Sequence, residues 1–212
     1  MAIIIDLRTC SFIVKKDVAK ATNEKILLDF LSDDIDWRVR QAVASNVCTS
    51  SEVLYKLSKD KELGVRQAVA ANVNTVPEIL GSLSNDSEWI VRMLVAYNPQ
   101  TSAETLEKLS KDEYYQVRTA VAENENTREK TLDKMSYDKD WGVRVAVAEN
   151  AKTTANTLDR LSNDEDWEVR LGVAKNIHAP RKTRFKLLGD EVAEVQQAAG
   201  ILLKISWIVL IN

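Results

Sequence analysis

The sequence predicts an all-α fold, a solenoid of 26-residue two-helix repeats, and three observations carry that expectation. Val-Arg pairs recur every 26 residues from 39 to 169 with no insertion or deletion. Glycine and proline are scarce, six and three in 212 residues, while 29% of the chain is charged, a composition that favours helices over turn-rich β architecture. Within each period the apolar residues fall at helical spacing: Val143, Ala146, Val147 and Asn150 stand at i, i+3, i+4 and i+7.

Taken in order, residues 1–38 read as an N-terminal cap and a degenerate repeat, because VKKDVAKATNEKILLDFLSDDIDW (14–37) follows the template with one residue missing in the middle. Six repeats then fill 39–194, from VRQAVASNVCTSSEVLYKLSKDKELG to VRLGVAKNIHAPRKTRFKLLGDEVAE. Residues 195–212 read as a C-terminal cap that begins like the first helix of another repeat, VQQAAGILLKI. Terminal units are atypical in such arrays because they must cover the open ends of the stack. The whole chain is thus expected to form one solenoid domain, with no room for a separate catalytic domain.

Each unit carries two helical signals. The first helix opens at Val-Arg and stops at an asparagine: Asn46, Asn72, Asn98, Asn124, Asn150 or Asn176. The second is announced by Thr49, Thr75, Thr101, Thr127 and Thr153. Glu52, Glu78 and Glu104 follow three residues later, the spacing of a capping box, and Pro77 sits just inside a helix start. Leu106 and Leu109 with their equivalents supply the buried stripe. A turn such as Ser162, Asp164, Asp166, Trp167 then places carboxylates at the positive end of the next helix. Neither helix is long enough to be stable alone.

Arg40, Arg66, Arg92, Arg118, Arg144 and Arg170 form one ladder, and Asp34, Asp60, Asp86, Asp112, Asp138 and Asp164 form another six residues ahead of it. A catalytic site is needed once, so residues repeated in every unit are expected to join repeats by charge-assisted hydrogen bonds. The aromatic position (Trp37, Trp89, Tyr115, Trp141, Trp167) could stack bases or cover repeat junctions. Its companion Leu63 can pack but cannot stack, which favours the junction role.

The remaining chemistry is sparse. Cys10 and Cys48 are too few for a disulfide framework and fit reduced thiols in a cytoplasmic protein. His178 has no second ligand in view, and no metal-ligand spacing, phosphate loop or nucleophile elbow occurs, so no catalytic residue, metal or cofactor is expected. The apolar end at 201–211 is too short to span a bilayer and contains Lys204, so no membrane span is expected. AIII at 2–5 and ISWIVLI at 205–211 leave open a monomer or a dimer formed through apolar termini.

The pattern VRxAVAxNxxTxxxxLxxLSxDxxWxVR resembles the variant leucine-rich repeat family, and more broadly HEAT-like repeats, over about nine-tenths of the chain. The resemblance implies a right-handed superhelix of paired short helices whose first helices line the concave side. Some members carry an iron-sulphur segment near the N-terminus, but Cys10 is the sole cysteine in that region here and cannot supply the usual set of thiolates.

If recurring residues build the stack, the variable positions on the first helix face the partner. Those positions are occupied by Arg38, Gln41, Ser45; Gly64, Gln67, Ala71; Ile90, Met93, Tyr97; Gln116, Thr119, Glu123; Gly142, Val145, Glu149; and Glu168, Leu171, Lys175. Ile90, Met93 and Tyr97 stand out as apolar, and Val145 and Leu171 continue that character. The expected function is therefore non-catalytic binding of a protein or peptide partner, of unidentified sequence, through Ile90, Met93, Tyr97, Val145 and Leu171. The alternative is a nucleic-acid-binding or HEAT-like DNA-repair protein. Arg38 and Lys175 are the only basic side chains on this face apart from the ladder, against Glu123, Glu149 and Glu168, and the net charge is −3, which disfavours phosphate binding. An enzyme on another solenoid precedent would need a deep pocket with inward-facing carboxylates.

Overall fold

The computed structural model describes residues 7–201, and among them every regular element is a helix. The chain is an all-α solenoid of two-helix repeats. The first helices are α1 (Phe12–Ala21), α3 (Trp37–Ser45), α5 (Leu63–Ala71), α7 (Trp89–Tyr97), α9 (Tyr115–Glu123), α11 (Trp141–Glu149) and α13 (Trp167–Lys175). They alternate with the shorter α2 (Lys25–Leu31), α4 (Ser51–Leu57), α6 (Pro77–Leu83), α8 (Ala103–Leu109), α10 (Glu129–Met135), α12 (Ala155–Leu161) and α14 (Arg181–Leu187). Residues 193–201 are again helical. The apolar stretches at 2–5 and 205–211, and the dimerisation read from them, lie outside the described residues. No helix among the described residues is long and apolar enough to cross a membrane.

The chain divides into two compact units, with the division between Thr105 and Leu106, inside α8. In the first, α1, α3, α5 and α7 pack each against the next, and in the second α9, α11 and α13 do the same. Each short helix packs chiefly on the first helices flanking it in sequence. The alanines at 44, 70, 122, 148 and 174 are fully buried, which lets successive first helices within each unit approach closely. Val39, Val43, Leu54 and Leu57 show how one repeat fills the core, all at most 2% exposed.

The ladders join repeats through contacts that sequence spacing alone does not reveal. Within each unit the arginine takes the carboxylate twenty residues ahead of it, in the turn that leads into the following repeat, as a two-pronged pair: Arg40 with Asp60 at 2.6 and 2.9 Å, Arg118 with Asp138 at 2.6 and 2.9 Å. From the aspartate six residues behind, it takes only the backbone carbonyl: Arg40 Nη1 donates to the Asp34 oxygen at 2.8 Å and Arg118 Nη1 to that of Asp112 at 2.8 Å. The same carboxylates also accept a backbone N–H two residues on, as Asp60 does from Glu62 at 3.0 Å, so one side chain opens a helix and anchors the preceding repeat.

The asparagines do more than end a helix. Asn72 Nδ2 donates to the carbonyls of Ala44 and Asn46 in the previous repeat at 2.7 and 3.0 Å, while its Oδ1 accepts the Asn74 N–H at 2.9 Å. Asn98 and Asn176 repeat the arrangement. A buried amide whose donors and acceptor are all used fixes repeat register without a polar penalty.

The threonines depart from the sequence expectation. They precede the second helix but do not cap it: the cap of α4 is Ser50, and Thr49 instead donates to the Val43 carbonyl at 2.6 Å. Thr75, Thr127 and Thr153 do likewise to Val69, Val121 and Val147. The threonine hydroxyl is buried where the first helix ends, and a free helical carbonyl there needs a donor more than the next helix needs an acceptor. Pro77 occupies the first turn of α6 as expected.

The end repeats keep these contacts with substitute residues. Lys15 stands at the arginine position of the degenerate repeat and pairs with Asp34 at 2.8 Å. Gln196, at the last arginine position, donates to the Asp190 carbonyl at 2.5 Å.

Candidate functional site

With arginine, aspartate and asparagine committed to joining repeats and threonine to ending the first helix of its own repeat, the variable positions of the first helices form the face that differs from unit to unit. In the first unit, Ile90, Met93 and Tyr97 share one side of α7 at i, i+3 and i+7; Ile90 and Met93 are half-buried and Tyr97 is 47% exposed. Beside them α5 presents Gly64, Gln67 and Ala71. In the second unit, Val145 on α11 and Leu171 on α13 stand at the same position of neighbouring repeats, both half-buried. Exposed Glu123 and Glu149, half-buried Glu168 and exposed Lys175 supply the polar surroundings. The five residues expected to bind a partner thus fall into two groups, three in one unit and two in the other.

The aromatic position is divided between packing and exposure. A Cβ at Gly64 would lie 3.2 Å from the Trp37 ring, so this glycine lets α5 close on the indole, and Gln41 Nε2 completes the junction by donating to the Gly64 carbonyl at 3.2 Å. Trp37 nevertheless stays 40% exposed and Trp141 50%, leaving ring surface available to a ligand.

Sequence reasoning missed the contribution of α1. The degenerate repeat places Phe12, Lys16 and Lys20 at the positions held by Trp37, Gln41 and Ser45 one unit later, outside the six full repeats whose variable positions define the expected face. In the structure a groove of about 450 Å³ lies between α1 and α3, lined by Lys16, Lys20, Trp37, Arg38, Gln41, Ala42 and Ser45. Arg38 is held twice: its guanidinium lies 3.7 Å from the centre of the Phe12 ring, and it pairs with Asp36 at 2.6 and 2.9 Å. That side-chain pairing, against a small desolvation cost and helped by the Arg38 N–H, brings the Asp36 carboxyl down to about 2.

Other concavities have their ionisable groups engaged. A groove of about 620 Å³ in the second unit is lined by Tyr137, Asp138, Arg144, Arg160 and Asp164 among others, but Asp138 is tied to Arg118 and Asp164 to Arg144. Among the described residues no cluster of histidine, cysteine, aspartate and glutamate could hold a metal ion. His178 is exposed and contributes only its backbone N–H, to Asn176.

No protein-family model and no curated protein matches the chain. Among solved structures it is similar to a leucine-rich repeat variant described as having a novel repetitive structural motif, with a TM-score of 0.69 at 28% identity, covering 92% of this chain and 77% of that one. It is also similar to YibA of E. coli, with a TM-score of 0.51 at 19% identity, covering 94% and 77% of the two chains, a likeness of fold alone.

Proposed function

We propose that this chain, an α-solenoid of the leucine-rich-repeat-variant kind, is a non-catalytic scaffold that binds a protein or peptide through the face of its first helices. The observation that carries the reading is the contrast along each first helix. The repeated arginine, aspartate and asparagine side chains are consumed by contacts that hold the stack together, whereas Ile90 and Met93 are half-exposed apolar side chains on α7 beside Tyr97, which is 47% exposed. Val145 and Leu171 extend the same character in the second unit. An amphipathic ring beside a flexible thioether suits an apolar side chain of a partner, with Glu123 and Glu149 as polar surroundings in the second unit. With only two cysteines, Cys10 and Cys48, the chain fits a reducing compartment such as the cytoplasm.

The test is parallel affinity capture with the wild-type chain and a Met93→Glu, Tyr97→Ser variant of equal helical circular dichroism. A binder retained by the wild type and lost by the variant supports the reading. Identical sets of captured proteins would overturn the assignment to α7.

A further inference from the structure

The groove between α1 and α3 has a charge character that the rest of this face lacks. Lys16 and Lys20 stand one helical turn apart on α1, about 6 Å along the axis, and among the described residues neither pairs with a carboxylate. Arg38 is neutralised by Asp36, so it forms a wall with Phe12 and leaves the two lysines as the available cations. Asp17 is the one acid on α1, and it lies outside the lining of the groove. Trp37 provides a half-exposed ring beside the ammonium groups.

We propose that this groove binds an acidic peptide segment, with two carboxylates on Lys16 and Lys20 and an apolar side chain against Trp37. Alternate residues of an extended chain lie about 6 to 7 Å apart on one side, which matches the lysine spacing, so the favoured ligand carries acids in an i, i+2 pattern. Charge complementarity favours a peptide over nucleic acid. Two free cations in a groove of about 450 Å³ neutralise too few phosphates to hold a polynucleotide, and the overall charge of −3 opposes one. The proposal shares with the scaffold reading the use of the first-helix face but depends on a different pair of residues.

The experiment titrates the full chain against a fluorescein-labelled peptide of alternating glutamate and leucine, a lysine-leucine counterpart, and a single-stranded oligothymidylate of equal charge. The glutamate peptide is expected to bind, at least about tenfold more weakly to Lys16→Gln, Lys20→Gln, and more weakly as salt rises. Met93→Glu, Tyr97→Ser should leave that affinity unchanged, which separates this site from the apolar one on α7. Both lysines are surface groups outside the repeat ladder, and unchanged melting of the double variant confirms that the fold is intact. Absence of glutamate-peptide binding, binding insensitive to the lysine substitutions, or tighter binding of the oligothymidylate would each overturn the proposal.

Discussion

Arg66 reaches twenty residues forward to Asp86, placing Nε and Nη2 on the two carboxylate oxygens at 2.7 and 3.1 Å, while its Nη1 reaches back to the carbonyls of Asp60 and Lys61. One side chain therefore touches the turn that enters its own repeat and the turn that leaves it. The pair is largely withdrawn from water, with side-chain exposures of 16% and 7%. Removing either partner strands a poorly solvated charge, so Arg66→Ala and Asp86→Ala should each cost about 3 kcal/mol in urea denaturation. The double variant should cost clearly less than the sum, because it leaves no stranded charge. Additive losses would mean that the two residues act separately.

The ladder also fixes a pH response. Burial pushes the Asp60 carboxyl up, but the Arg40 guanidinium and the Glu62 N–H outweigh it and hold it below its ordinary value of 3.8. Asp138 is held down in the same way against burial by Arg118 and the Asp140 N–H, and Asp190 chiefly by Arg170. A carboxyl depressed on folding contributes stability that is complete above its unfolded value and disappears as pH falls through its folded value. Urea midpoints should thus lose the ladder contribution only below about pH 4. Asp60→Asn should flatten part of that acid limb, and a midpoint that falls between pH 7 and 5 would place the response on other groups.

The asparagine ladder should be the less forgiving one. Asn72 makes two donated bonds and one accepted bond in a site where it is 5% exposed, and the two carbonyls it serves, of Ala44 and Asn46, are bonded in buried surroundings. Asn72→Ala should cost about 2 to 4 kcal/mol, and Asn72→Asp nearly as much, since a carboxylate cannot donate. Thermal melting of the two variants checks this, and an aspartate variant as stable as wild type would contradict the donor role.

The repeat was legible because six copies in register let each position be read against itself. Helix order, the buried valines and leucines, and the joining role of arginine and aspartate follow from recurrence, whereas the asparagines read only as helix ends. What recurrence could not show is direction. Arg40 lies six residues after Asp34 and twenty before Asp60, and only packing decides that the carboxylate comes from the following turn and the carbonyl from the preceding one. Thr49 is misleading for a related reason: its spacing to Glu52 matches a capping box, but the nearer unmet need is the Val43 carbonyl at the end of the preceding helix. Lys16 and Lys20 escaped because the unit that holds them reads as a degenerate cap, outside the six full repeats whose variable positions define the face.

Arg184 is the position where the last full repeat departs from the others. It replaces the leucine found at 54, 80, 106, 132 and 158, each fully buried, and is itself 7% exposed. Two donors are also lost at this end: the threonine position holds Ala179, and the asparagine position of the following unit, 202, holds leucine. Arg184 Nη2 supplies a substitute, donating to the carbonyls of Asn176 and Ile177, but Nε finds no acceptor and burial lowers the guanidinium pKa. Asn176 keeps the Ala179 N–H at 3.1 Å without the arginine, and Ile177 is exposed, so water can take its carbonyl. Arg184→Leu should therefore restore the apolar stripe and raise stability by about 1 kcal/mol, whereas Arg184→Ala should lower it by about 2 to 3 kcal/mol through the cavity it leaves. Thermal melting of both variants decides the matter: a destabilised leucine variant would show that the two carbonyl bonds outweigh the cost of burying the charge, and that the arginine is the stabilising cap of this end.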